Sequence, residues 1–339
     1  MIEVQEYVDI KEHTTFKVGG KFRYFIEVSN PQELPEVYNF AKEKNLPVHV
    51  LGGGSNMVFP DGIYECVVVK IEFCNFELVN EADEYADLKI GAGENWDYAV
   101  SCAVAVGLSG IEAMSAIPGT TGATPVQNVG AYGQEIKDTL ISVDVFDTKD
   151  EKLKTLSNEE CDFSYRNSIF KGKEKGRYVI IAVTLRLSKL PPSIPNYPGV
   201  KKYFLEKNIN SPTLLQIREA IIDIRKNKLP DPNEISNAGS FFKNPMVSKD
   251  IANKIKKDYP KVTLFPSGDL VKVPAGFLIE TAGLKGKDFG PISIYKNNAL
   301  VLVNNGKATR ADVTKVKDEI IKIVYEKFGI TLEPEPEFV

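Results

Sequence analysis

Nineteen consecutive residues constrain this chain more than any others: Ile117-Pro118-Gly119-Thr120-Thr121-Gly122-Ala123-Thr124-Pro125-Val126-Gln127-Asn128-Val129-Gly130-Ala131-Tyr132-Gly133-Gln134-Glu135. Four glycines and a run of small polar groups leave the backbone bare. Backbone is usually left bare where something presses against it. A cofactor diphosphate or a flat ring system would suit. A shorter loop, Leu51-Gly52-Gly53-Gly54-Ser55-Asn56, follows a strand-like run directly. It lacks the lysine and spacing of a P-loop, and Met57 falls where a dinucleotide fingerprint needs its third glycine. Its backbone N–H groups could converge on an anion, and a tight structural turn explains it equally well. Gly91-Ala92-Gly93-Glu94 reads as a structural turn.

The 339 residues suggest two or three domains at roughly 100–200 residues each. A net charge of −4 offers no field for nucleic acid or an anionic membrane, so any bound anion must be gathered locally. The acidic opening Met1-Ile2-Glu3-Val4-Gln5-Glu6 gives no expectation of a secretory signal. The most apolar stretches, 178–187 and 299–303, are too short to span a bilayer and read as buried strands. Cys66, Cys74, Cys102 and Cys161 form no C-x-x-C pair, so neither a disulfide framework nor a metal site is expected, only buried or half-buried thiols. His13 and His49 are the only histidines, which leaves hardly any partners for a Ser-His-Asp triad, H-E-x-x-H zinc chemistry or most histidine acid–base schemes. His49, inside the strand-like 47–51, reads as structural.

Hydrophobic periodicity divides the rest into an α+β pattern. Residues 22–28 read as a strand and 31–44 as a helix with Leu34, Val37, Tyr38 and Ala41 on one face. Strand signals dominate 66–187, notably at 66–71, 87–90, 142–147 and 179–187. A helix over 96–107 interrupts them, carrying Ala99, Val100, Ala103 and Val104. The proline-dense stretch 190–199 punctuates the chain. A helix over 213–227 follows, with Leu215, Ile217, Ala220, Ile221 and Ile224. The last part alternates helices at 249–256 and 310–328 with strands at 292–295 and 299–303. Three lobes are expected, at 1–70, 71–208 and 209–339.

Three further segments hold residues fit for chemistry. Phe163-Ser164-Tyr165-Arg166-Asn167-Ser168 places an arginine in a polar turn. Lys228-Leu229-Pro230-Asp231-Pro232 leads to Asn237-Ala238-Gly239-Ser240-Phe241-Phe242-Lys243-Asn244-Pro245. Leu332-Glu333-Pro334-Glu335-Pro336-Glu337 is acidic. Taken singly they read as a surface arginine, a small residue in a turn and a solvated tail.

Taken together, and in this order, they resemble the type I branch of the MurB family of flavin-dependent enolpyruvyl reductases. The opening His13-Thr14-Thr15-Phe16 and Val18-Gly19-Gly20 resembles the same family, so the likeness covers nearly the whole chain. It implies an FAD-binding fold of the vanillyl-alcohol-oxidase type in two lobes, plus a C-terminal α/β substrate-binding domain. It implies FAD against Gly52, Gly53, Gly54, Ser55 and Asn56 in one loop. In the other loop it implies contacts from Gly119, Thr120, Gly122, Ala123, Gln127, Asn128, Gly130, Ala131, Tyr132 and Gly133. Carried over by motif, Ser240 donates a proton, while Arg166 and Glu335 polarise the substrate, Glu335 being chosen by its Leu-x-x-Glu spacing from Leu332. Pro336-Glu337-Phe338 departs from the aliphatic and basic residues of the family pattern.

Tyr165, Tyr197, Lys228, Asn244 and Asn298 match substrate-lining positions. The implied reaction reduces UDP-N-acetylglucosamine enolpyruvate to UDP-N-acetylmuramate with NADPH, for peptidoglycan synthesis, in a cytoplasmic monomer. An oxidase of the same fold would need no Arg-Ser-Glu trio, and a flavin or nucleotide-sugar sensor without turnover would have lost one of the three.

Overall fold

The computed structural model describes residues 2–339. The chain divides into two units. One takes the chain up to Val8, Phe22–Gly54 and Tyr64–Lys226; the other takes Asp9–Lys21, Ser55–Ile63 and Asn227–Val339.

The first unit is built on two sheets. Strands Gln5–Asp9, Lys21–Val28, Ile63–Ile71 and Val48–Leu51 lie side by side in that order, the last pair parallel with Val48 opposite Val67. The second sheet is antiparallel, in the order Lys152–Ser157, Leu140–Asp147, Tyr178–Ser188, Tyr85–Gly91, Phe76–Glu81. Tyr178–Ser188 is its spine, and Val183, Leu185 and Leu187 are all fully buried. A 3-10 turn, Pro31–Glu33, opens with a capping box between Asn30 and Glu33 and runs into helix α1 (Leu34–Lys44), which stops at Asn45 in the left-handed region. Helix α2 (Trp96–Ala105) is capped by Asn95, which accepts from the Tyr98 N–H at 2.9 Å. Trp96, Ala99, Val100 and Ala103 are buried in the main core together with both sheets. Helices α3 (Pro198–Glu206) and α4 (Leu214–Lys228) form a smaller cluster in which Val200, Phe204, Ile217, Ala220 and Ile221 surround Ala113.

The helix expected at 213–227 is therefore present, at Leu214–Lys228. Leu214, at 9% exposure, is buried and Leu215 is 57% exposed, because Leu214, Ile217, Ile221 and Ile224 share the 3.6-residue stripe and Leu215 falls outside it. The thiols differ from expectation: Cys66 and Cys161 are buried and Cys102 is half-buried, whereas Cys74 is exposed.

The buried Asp147 carboxylate locks the Leu140–Asp147 strand to its neighbours. Arg177 reaches it with Nε at 3.1 Å and Nη2 at 2.8 Å, and Lys154 Nζ at 2.7 Å. The Arg177 hydrogen bonds, outweighing burial and helped by Lys154, hold the acid far below the usual carboxylate range. Since the folded state then prefers the ionised form, this stabilisation is present above the unfolded acid's pKa of about 3.9 and fades as pH falls below it. Asp147→Asn should lower the thermal midpoint at pH 7. The gap from wild type should narrow as pH drops below about 4; a gap constant from pH 7 to pH 3 would disprove this account.

In the second unit, strands Asn237–Ser240, Val301–Asn304 and Ile292–Ile294 form a sheet in that order. Helices α5 (Lys249–Asp258), α6 (Ala275–Thr281) and α7 (Arg310–Phe328) pack with it around Phe16, Phe241, Phe242, Leu278 and Ile279. A capping box between Thr309 and Asp312 starts α7 and Gly329, at φ 66°, ends it; Val313, Val316, Ile320 and Val324 form its buried stripe. The Val18-Gly19-Gly20 run has a steric reason here. A Cβ on Gly20 would lie 2.0 Å from the Gly62 carbonyl oxygen, so two distant segments of this unit touch through bare backbone.

Candidate active site

The two glycine loops of the first unit lie against each other. A Cβ on Gly52 would stand 2.7 Å from Thr120 Oγ1, and one on Gly53 would stand 2.7 Å from Gly119 Cα. Gly54 (φ 59°) and Gly119 (φ 125°) occupy the region that favours glycine. The Gly91-Ala92-Gly93 turn supports the longer loop from behind. Gly122 N–H donates to Ala92 O at 2.9 Å and Thr121 N–H to Glu94 O at 2.8 Å, and a Cβ on Gly122 would sit 2.6 Å from that of Ala92. The structural reading of that turn therefore holds. What the loops present outward is backbone and small polar groups: Gly53 is exposed, while Gly52, Gly119, Thr120 and Ala123 are half-buried. Such a cradle fits a dinucleotide diphosphate, which needs close approach by N–H groups and tolerates no side-chain bulk.

Arg166 is fixed to the far end of the long loop. It turns the chain at φ 54°, between Ser164 and Asn167, which exchange N–H···O bonds of 3.0 and 3.2 Å. Its Nη2 donates to the Gly130 carbonyl at 3.0 Å, and its guanidinium lies 5.4 Å from the Tyr165 ring centroid. A non-glycine residue in this region is strained, and strain persists where the surroundings enforce it. Asn128, also at positive φ, ties the same place together by donating to Glu135 Oε2 at 3.0 Å and Ser164 O at 3.2 Å. Burial works to raise the Glu135 carboxyl, but the Lys137 hydrogen bond and charge, the Asn128 amide and the nearby Arg166 charge outweigh it and hold it below its usual value. Gly130 and Ala131 pair with Glu135 and Gln134 in a small hairpin, with Tyr132 (φ 50°) and Gly133 (φ 93°) at its tip. Gln127 accepts from Lys171 Nζ at 3.1 Å. The ring of Tyr197, the residue that precedes α3, meets Tyr132 edge to face at 5.2 Å.

The second unit gathers the other chemical residues. Ser240 ends its strand opposite Val301 and is exposed; the preceding Gly239 (φ 66°) is held by Asn237 Oδ1, which accepts its N–H at 2.8 Å. The acidic C-terminal segment is no solvated tail. Glu335 N–H donates to Phe241 O at 2.8 Å and Lys243 N–H to Glu333 O at 2.9 Å, so the segment runs beside the residues that follow Ser240. Asn56 Nδ2 donates to the Glu335 carbonyl at 3.2 Å, and Glu337–Phe338 pairs in parallel with Met57–Val58. Glu333 is engaged with Lys243 at 3.2 Å on the surface. Asn244 Oδ1 accepts from Ala275 N–H at 2.9 Å, and Asn298 Oδ1 from Leu300 N–H at 3.0 Å. Phe241 N–H reaches Leu300 O at 2.7 Å, which brings the Asn298 turn alongside. Lys228, the last residue of α4, is exposed.

Sequence reasoning missed the supports beneath the long loop. Buried Glu112 accepts from Gly110 N–H at 2.6 Å and Gln134 Nε2 at 3.0 Å, joining residues 110–113 to the hairpin. Arg225 of α4 reaches Tyr132; burial pushes the Tyr132 phenol up and the Arg225 guanidinium down. One signal was available, since Arg218 and Arg225 stand seven residues apart and so share a face of α4.

Comparison with known proteins agrees with these observations. An FAD binding domain model matches residues 22–157, and the model of the UDP-N-acetylenolpyruvoylglucosamine reductase C-terminal domain matches residues 231–339. The UDP-N-acetylenolpyruvoylglucosamine reductase of Flavobacterium johnsoniae is 41% identical, covering 98% of this chain and 99% of its own. That of Bdellovibrio bacteriovorus is also 41% identical, covering 99% of each. The crystal structure of the Thermus caldophilus reductase aligns with a TM-score of 0.69 at 26% identity, over 100% of this chain and 99% of that one. The α+β flavoprotein fold and the FAD cofactor implied by the sequence stand, and the chain belongs to the UDP-N-acetylenolpyruvoylglucosamine reductase family.

Proposed function

We propose that this chain reduces UDP-N-acetylglucosamine enolpyruvate to UDP-N-acetylmuramate with FAD as its cofactor and NADPH as electron donor, in the synthesis of peptidoglycan precursors. The observation that carries the reading is the pairing of residues 333–335 with 241–243, which sets Glu335 beside the strand end bearing Ser240. Residues 22–157 carry the FAD-binding match, and within them the loops at 52–56 and 119–133 hold the cofactor. Bound FAD supplies the reducing equivalents to the enolpyruvyl double bond.

The chain's own residues manage the charge and the proton. Arg166 presents a planar fork of donors to the substrate carboxylate, oriented by its hold on Gly130. Glu335, in its carboxylic-acid form, donates a hydrogen bond to the enolate that develops on that carboxylate, where stabilisation of growing charge is typically the largest catalytic contribution. Ser240 gives its hydroxyl proton to the carbon beside the carboxylate. Tyr165, Tyr197, Lys228, Asn244 and Asn298 bind the nucleotide sugar. Residues 1–70 and 71–208 serve as two flavin lobes and 209–339 as the substrate domain. No helix of the described residues is long and apolar enough to cross a membrane. We place the enzyme in the cytoplasm as a monomer with no nucleic-acid partner.

The test is purification, a visible spectrum, and NADPH oxidation followed with and without the enolpyruvyl sugar. A yellow protein whose sustained NADPH consumption requires the sugar is the expected result. Electron transfer to oxygen alone would replace this reading with a flavin oxidase.

A further inference from the structure

Ala116 stands immediately before the Ile117–Thr120 loop, at φ 57°. Alanine is strained in this region, so neighbouring groups must enforce the conformation. Both of its backbone polar groups are held by charged side chains from two helices of the same unit. Its N–H donates to Asp97 Oδ1 at 2.6 Å, and its carbonyl accepts from Arg225 Nε at 3.2 Å. Asp97, in the first turn of α2, is gripped by Arg218 of α4 through two parallel bonds, Nη1 to Oδ1 at 2.6 Å and Nη2 to Oδ2 at 2.9 Å. The Arg218 side chain is only 12% exposed, so its charge must be matched locally and the pair resists screening. Burial works to raise the Asp97 carboxyl, but the Arg218 fork, the Ala116 amide and the Arg225 charge together hold it below the usual range. The ionised carboxylate, the form that accepts from Ala116 N–H, is thus the favoured one.

We infer that Asp97, Arg218 and Arg225 are positioning residues for the cofactor, a clamp that sets the entry angle of the second flavin loop through the backbone of Ala116. The inference rests on that loop being a flavin loop. An alternative role for the pair, fastening α4 to α2 for stability alone, would need no contact with a strained residue. The first unit contains a pair suited to that comparison. Arg186 and Asp87 join neighbouring strands with the same two-bond geometry, at 2.7 and 2.8 Å, with no bond to either glycine loop.

The experiment measures FAD affinity of the apoprotein by quenching of flavin fluorescence, the visible circular dichroism of bound flavin, and thermal unfolding of the apoprotein. The variants are Arg218→Met, Arg218→Lys, Ala116→Gly, Arg186→Met and Gly53→Ala. Arg218→Met should weaken FAD binding about ten-fold or more, as loss of a charge-assisted contact would, and should change the dichroism of the flavin that still binds. Arg218→Lys should recover only part of the affinity, because an ammonium cannot make the fork. Ala116→Gly relieves the strain and frees the loop, so it should weaken FAD binding in a folded protein even if Arg218→Met does not fold. Arg186→Met should lower the melting temperature with FAD affinity unchanged. Unchanged FAD affinity in both Arg218→Met and Ala116→Gly, or equal losses in Arg218→Met and Arg186→Met, overturns the clamp. Gly53→Ala separates that failure from failure of the loop assignment: it drives a methyl against Gly119, and unaltered FAD binding in it would mean the loops do not hold flavin.

Discussion

Ser240→Ala should slow turnover of the enolpyruvyl sugar by about 10²–10⁴-fold, the span that a positioned general acid contributes, while leaving reduction of the bound flavin by NADPH at its normal rate. The split follows from placement. Ser240 lies at the end of a strand in the C-terminal unit, exposed, with its backbone fixed by pairing to Val301 and by the Asn237–Gly239 turn before it. Loss of one hydroxyl from an exposed position costs little packing, so the melting temperature and the yellow colour should be retained. Rapid mixing checks the claim: bleaching of flavin absorbance on adding NADPH should be normal, and its return on adding the enolpyruvyl sugar should be slow. If the return is as fast as in wild type, Ser240 is not the proton donor and the reading of residues 237–245 fails. If both phases slow together, the residue supports the cofactor rather than the proton transfer.

What could be read from the sequence depended on how far apart the interacting residues lie. Helix α1 is legible because the Asn30-Pro31 turn that leads into it and its apolar stripe fall within about fifteen residues of one another. The long glycine loop is legible because bare backbone is a local property. Three features were not. Leu214 and Leu215 are equally apolar, and only the packing shows that Leu214 occupies the inner position of α4 and Leu215 the outer one. The acidic C-terminus looks solvated by composition, yet its backbone pairs with Phe241–Lys243, about ninety residues earlier, and with Met57–Val58, nearly three hundred earlier. The clamp on Ala116 joins Asp97 to Arg218 across 121 positions, a separation at which no spacing rule operates. Local chemistry therefore located the candidate site residues, and long-range pairing supplied the residues that hold their segments in place.

Arg166 yields the second large effect, and its surroundings say how to separate its roles. Arg166→Met removes the fork proposed for the substrate carboxylate together with the bond to the Gly130 carbonyl, and kcat/KM for the enolpyruvyl sugar should fall by about 10²–10³-fold, as when one donor to developing charge is lost. Arg166→Lys keeps the charge but not the planar pair of donors, so it should restore only part of that loss. Both variants keep a straight side chain at φ 54°, so neither adds nor removes much backbone strain relative to the arginine. The bond to Gly130 raises a competing explanation, that the arginine acts by shaping the flavin loop. FAD affinity of the apoprotein decides between them. A fall in kcat/KM with FAD affinity held within about two-fold, well under one hydrogen bond's worth, assigns Arg166 to the substrate. An equal fall in FAD affinity assigns it to the loop, and Glu335 and Ser240 would then be left to stabilise the enolate without a cationic partner. That would be hard to reconcile with a reaction that builds negative charge on a carboxylate, and a search for another cation would follow, beginning with Lys228.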